Sequence, residues 1–337
     1  MSWLNFIILN SVAPIENLHQ ISDAGAGAGL MQLHPTRDSE LIACGKANTL
    51  VNGQYLPSPV TSNGLLSPAM LVHGILIELQ KRGFKIRLHC YQLGLQEMPD
   101  FSNSKLDDVV VHHCLLGDEA ILIKDKLLPE LQRQAQCQEQ HLIAESGIGG
   151  TTYATLWLRR WLNRELSFAG STKNVEKLKI KQQLINMLLD ETADLPVNVA
   201  DYLANTRYSD PIQRACCTLL SAPLESLNLA GGTMIFAPII AMNGEIKVKK
   251  LSVATTRWTL DFPDAQLVAQ GLPDNCLLET PETEFHQSQF AAIRMYEQGY
   301  IIEGCALGAS LNFAEAHGIK GSALINSLDK AVAPWFE

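Results

Sequence analysis

The sequence predicts an α/β protein: a mainly parallel, Rossmann-like sheet flanked by helices, with a small appended helical subdomain. Two observations carry this expectation. Short apolar runs end repeatedly in glycine or polar turns, the pattern of strands buried on both faces. Helix-length amphipathic stretches separate those runs, as βαβ units require.

Taken in order, MSWLNFIILNSVAP at the start is apolar, has no basic residue and soon meets polar positions, so it reads as a first strand rather than a signal peptide. ELIACGKAN at 40–48 reads as a further apolar run reaching a turn. The Pro/Ser-rich LPSPVTSNGLLSP at 56–68 is expected to be a structured loop over a site. From Ser67 to Gly83, SPAMLVHGILIELQKRG predicts a helix, with Ser-Pro at its start and Lys81, Arg82 and a glycine at its end. FKIRLHCYQLG at 84–94 and QHLIAESGIGGTT at 140–152 read as strands, the second running into a helix that begins near Thr151. His112 and His113 are adjacent in a strand and so face opposite ways, which argues against a shared metal ion. NVEKLKIKQQLINMLLDE at 174–191 predicts a helix whose lysines form a solvated face rather than a basic binding site. LNLAGGTMIFAPIIA at 227–241 and KKLSVATTRWT at 249–259 are further strand-and-turn units. GYIIEGCALGASLNFAEAHG at 299–318 places Glu303 at the end of an apolar strand, ahead of a helix. With no internal repeat, low-complexity tract or long linker, one domain over 1–337 is expected, residues near the two termini forming the subdomain.

Composition narrows the function. A net charge of −9 argues against a surface that condenses on nucleic acid, which needs cations to displace phosphate counterions. Aromatic residues are too few for a surface that stacks single-stranded bases. A small molecule is the expected partner. None of the eight cysteines stands in a C-x-x-C arrangement and most lie in apolar runs, so they are expected to be reduced and the protein cytoplasmic. The longest uncharged run, 226–244, is interrupted by GGT and Pro238 where a strand would turn into a helix, and no membrane span is expected.

In an open parallel sheet, ligands bind beyond the carboxyl ends of the strands. GIGGTT at 147–152 fits an anion cradle there: Gly147, Gly149 and Gly150 let amides converge, Thr151 and Thr152 add hydroxyls, and a helix start adds its positive end. It lacks the Gly-Lys-Ser/Thr of a P-loop and the G-x-G-x-x-G of a dinucleotide site, and close helix–strand packing would account for it equally. Gly231, Gly232 and Thr233 repeat the pattern, while Thr256 and Arg257 offer a hydroxyl and a fixed charge to a phosphate unless the arginine is paired with a carboxylate. Glu145 and Glu303 are carboxylates beside such loops, Glu303 followed by Gly304.

In sequence order, ISDAGAGAGLMQLHPTRDSELIACGK, PVTSNGLLSPAM, AESGIGGTT, SDPIQRA, LAGGTM, VATTRW and EQGYIIEGCALGAS resemble the nicotinate-nucleotide dimethylbenzimidazole phosphoribosyltransferases over nearly the whole chain. The likeness is to the branch best known from archaea and cyanobacteria, whose first loop reads like E-S-x-P-G-G-T-T. Gly147 and Ile148 instead follow the bacterial E-M-G-I-G-N-T-T form, and EGCALGAS stretches the late G-E-G-T/S-G-A motif with bulky residues.

The resemblance implies transfer of phosphoribose from nicotinate mononucleotide to dimethylbenzimidazole, giving α-ribazole 5'-phosphate and nicotinate. Alternatives are the same donor with another base such as adenine, or a non-catalytic nucleotide-binding protein. It implies Glu303 as the base and Glu145 as a group that orients the ribose or stabilises cationic character. The phosphate is expected on residues 149–152, with 231–233 and Arg257 as secondary candidates, and the acceptor base under Pro59, Thr61 and Ser67. No cofactor, metal, nucleic acid or membrane is implied, and a homodimer is expected.

Overall fold

The computed structural model describes residues 2–24, 30–60, 64–170, 172–300 and 303–336. Among them the strands are β1 (Trp3–Val12), β2 (Lys85–Leu93), β3 (Asp108–Cys114), β4 (Gln140–Ile148), β5 (Ser226–Ala230), β6 (Lys250–Ala254) and β7 (Cys276–Glu279). They form one sheet in the order β3-β2-β1-β4-β5-β6-β7, with every pairing parallel. The α/β reading therefore holds.

The helices are α1 (His34–Cys44), α2 (Pro68–Lys81), α3 (Glu119–Leu122), α4 (Leu128–Gln136), α5 (Gly150–Leu162), α6 (Val175–Glu191), α7 (Val199–Leu203), α8 (Pro211–Leu220), α9 (Thr233–Ala241), α10 (Pro263–Gln270), α11 (Ala291–Arg294), α12 (Leu307–Ala316) and α13 (Ser322–Val332). Alternation along β1 divides the core. Ile7 and Leu9 pack with α5, α8 and α9, while Leu4, Phe6 and Ile8 pack with α1, α2, α12 and α13.

Several helix ends are where side-chain chemistry puts them. The Ser67 hydroxyl caps α2 by accepting from the Ala69 amide, and Asn174 caps α6 by accepting from Glu176 and Lys177. Asp210 and Gln213 form a capping box at the start of α8.

One expectation is corrected. The run at 40–48 contains no strand: Leu41 to Cys44 are the last turn of α1, begun by Pro35 and stopped by Gly45 at φ +73°. Four consecutive apolar residues fit a fully buried helix face as well as a strand, and all four are buried. The apolar strand expected to end at Glu303 falls on residues 301–302, which lie outside the described residues; Glu303 itself lies in a loop ahead of α12, and Met295–Gln298 is a 3-10 turn.

β1 sits between β2 and β4, so the chain winds one way from β1 to β3 and the other way from β4 to β7. A crevice opens where the direction reverses, beyond the carboxyl ends of β1 and β4. β4 ends there in Glu145, Ser146, Gly147 and Ile148.

Candidate functional site

A cavity of about 300 Å³ occupies this crevice. Alternation along β4 sends Ser146 to the α1 side, where its hydroxyl donates to Asp38 Oδ2 at 2.7 Å. Glu145 goes to the other side, over Gly231 and near Asp210. Asp38, only 4% exposed, also accepts from the Ser67 hydroxyl at 2.9 Å and lies 3.5 Å from His34 Nε2. That carboxylate ties α1, α2 and β4 together under the cavity.

Glu303 reaches the same cavity from the far end of the chain. The Cys305 amide donates to the Glu145 backbone oxygen at 2.9 Å, clipping the late loop onto β4. Glu303 Oε2 accepts from the Thr256 amide at 2.6 Å, and Oε1 from the Gly304 and Gly308 amides at 3.0 and 3.4 Å. The approach demands glycine at 308, because a Cβ there would lie 2.3 Å from the Thr255 carbonyl carbon.

Burial pushes the Glu145 carboxyl up to about 8, with Glu303, Asp210 and Asp38 adding repulsion; the one opposing bond is from the Gly147 amide at 3.0 Å. Enclosure likewise lifts Glu303 to about 7, held back by its amide donors. Asp210, fully buried, rises to about 6 by desolvation.

The buried cation of the cavity is Lys181, on the face of α6 expected to be solvated; Lys173, exposed, also lines it. Lys181 is 3% exposed, and its ammonium donates to Thr151 Oγ1 and the Phe168 carbonyl, both at 2.7 Å, and weakly to the Ala169 carbonyl. All three are neutral oxygens. Desolvation alone lowers its pKa to about 7. Beside it, Gly149 is the N-cap of α5, its φ of +79° suiting glycine, and Thr152 Oγ1 is buried without a hydrogen-bond partner among the described residues. A helix start, an unsatisfied hydroxyl and an ammonium with no counter-ion among the described residues converge on one end of the cavity.

The other expected residues divide clearly. Gly147, Gly149, Thr151, Thr152, Gly232, Thr233, Ser67 and Gly304 line the cavity. Gly150 and Gly231 back it, packed against Met234 and Ile235. Thr256 holds Glu303 rather than facing the cavity. Arg257 is corrected: it does not line the cavity but pairs through Nη2 with Glu297, which also accepts from Trp258. Pro59 does not line the cavity; its carbonyl accepts from the Ser67 amide at 2.9 Å. Thr61, and the GAGAG stretch at 25–29, lie outside the described residues.

Sequence reasoning missed Asp38, His34 and Lys181. Among the described residues no group of three or more His, Cys, Asp or Glu is placed to hold a metal ion, all eight cysteines are free, and no helix is long and apolar enough to cross a membrane.

No family model matches the chain. It is 24% identical to a UPF0284 protein of Saccharolobus solfataricus over 96% of this chain and 91% of that one. UPF0284 proteins of Saccharolobus islandicus strain L.S.2.15 and Sulfurisphaera tokodaii are each 22% identical over 96% of this chain, with 91% and 92% of their own lengths covered. A structural search finds CobT from Thermus thermophilus at a TM-score of 0.44 and 12% identity, covering 99% of this chain and 83% of that one.

Proposed function

We propose that the chain is a phosphoribosyltransferase that moves phosphoribose from nicotinate mononucleotide to dimethylbenzimidazole, giving α-ribazole 5'-phosphate and nicotinate. The observation that carries this reading is one cavity holding both a pair of carboxylates and a buried ammonium without an acidic partner. A nucleotide phosphate completes the ion pair of Lys181, with the start of α5 and the Thr152 hydroxyl as further donors. The motif resemblance supports the same donor.

The chemistry needs little more than placement and charge. Nicotinate in the donor is a pyridinium, so breaking its bond to C1' returns the electron pair to the ring nitrogen and requires no protonation. The acceptor nitrogen's lone pair forms the new bond to C1' from the opposite face, which inverts the anomeric centre. The acceptor's second nitrogen then loses its proton to the Glu303 carboxylate. The acidic surroundings favour the cationic character that C1' develops. Leu65, Leu66 and Pro68 form an apolar wall, interrupted by Ser67, beside Gly304 and Cys305, the proposed acceptor end. A homodimer working in the cytoplasm belongs to the same reading.

Purified protein mixed with nicotinate mononucleotide and dimethylbenzimidazole should yield α-ribazole 5'-phosphate. Absence of phosphoribosylated product across several benzimidazole and purine bases overturns the proposal. Competition between dimethylbenzimidazole and adenine identifies the acceptor.

A further inference from the structure

The two carboxylates are not equivalent. Three amides converge on the Glu303 oxygens, whereas the Gly147 amide is the donor that the structure gives Glu145, and it reaches only Oε2. Backbone amides stabilise the ionised form of a carboxyl, so the cradle favours charge on Glu303. Glu145 has the opposite surroundings. Asp38 approaches from α1, Asp210 from α8 and Glu303 from the late loop, and the neighbouring thiols of Cys216 and Cys305 are buried.

Positive charges do not offset this. His34 lies beside Asp38 Oδ2, and Arg214 on α8 is bound through two nitrogens by Glu119. Lys181 is turned to Thr151 and Phe168. Two like charges enclosed together cannot both ionise cheaply, and the less well-solvated member keeps the proton.

We propose that Glu145 is a neutral carboxylic acid that donates a hydrogen bond from its free oxygen to an oxygen of the bound nucleotide, Glu303 being the ionised member of the pair. This rests on the transferase reading for the identity of the ligand, but the protonation itself does not. It makes Glu145 a donor that grips substrate, not an anion that stabilises it. The elevated pKa of about 8 for Glu145, against about 7 for Glu303, agrees with that order.

Infrared spectra of the intact wild-type protein, unlabelled and carrying glutamate 13C-labelled at the side-chain δ-carboxyl, test the assignment without turnover. At neutral pH, a protonated-carboxyl band that moves with the label is expected. The band should be lost in Glu145→Gln, with circular dichroism and thermal unfolding reporting whether the variant folds. Should that variant fail to fold, Glu145→Asp in the labelled background should leave an acid band that no longer moves. No labelled acid band in the wild type, or a labelled band that persists in these variants, overturns the proposal. If wild type transfers phosphoribose to no base yet shows the band, the transferase reading fails and the protonated Glu145 stands.

Discussion

An ammonium surrounded by neutral oxygens is half of an ion pair, and Lys181 keeps that half inside the cavity. Burying it costs stability that only an anion restores, so Lys181→Met should raise the urea midpoint while raising KM for nicotinate mononucleotide about 10- to 100-fold, the range for losing a charged hydrogen bond. Denaturation curves and initial rates measured on the same variant check both directions. The base and the cation also set the pH response. In the proposed reaction Glu303 must lose its proton, near 7, while Lys181, also near 7, and Glu145, near 8, must keep theirs, so kcat/KM should pass through a narrow maximum around neutral pH. Glu303→Gln should abolish turnover while leaving nucleotide binding largely intact, as judged by calorimetry. Lys181 was hidden in the sequence because helical periodicity reports which face a residue is on, not how deep a neighbouring loop buries that face. Phe168 to Gly170 provide that loop.

At the scale of elements, the site depends on how closely α12 approaches β6. Gly308 is the contact point, and its amide is one of the donors to Glu303. A methyl group there forces the first turn of α12 off the Thr255 backbone, so Gly308→Ala should cost about 1–3 kcal/mol and also loosen the cradle of Glu303. Urea denaturation measures the first effect and the pH midpoint of activity the second, expected to move upward as amide donors withdraw. Most elements were legible for physical reasons: β1, β2 and β4 are apolar runs buried on both faces, and α2 and α6 carry their own N-caps. The run at 40–48 was not, since a buried helical turn and a buried strand share a pattern. β7 is four residues with Leu277 exposed, too short and too open to announce itself.

For the whole molecule, the enclosed acids and the enclosed amine leave a signature in stability against pH. Glu145 and Glu303 bind protons more tightly folded than unfolded, so together they make stability fall as pH rises from about 4.5 towards about 8. Lys181 does the reverse: the unfolded chain takes up its proton below about 10.5 and the folded chain only near 7, so its contribution rises with pH across that interval. The thermal midpoint of wild type relative to Glu145→Gln, measured in a pH series, should therefore fall as pH rises from about 4.5 towards about 8, because only the wild type carries that proton. The location of the site was legible as a class, since parallel sheets bind ligands at their carboxyl ends; its membership was not. Asp38 and Glu303 are 265 residues apart and meet only through the sheet order. Arg257 shows the converse, a residue of the right chemistry that the fold commits to Glu297.

The clip between the Cys305 amide and the Glu145 carbonyl also gives the site a history. The strand that bears Glu145 and the helix that bears Lys181 leave the ribosome well before residue 303. A chain released short of that point lacks Glu303 and also α12 and α13, whose Leu307, Leu311, Leu324 and Leu328 pack in the core layer of Leu4, Phe6 and Ile8. The last stretch to be translated thus both closes that layer and delivers the second carboxylate to the cavity.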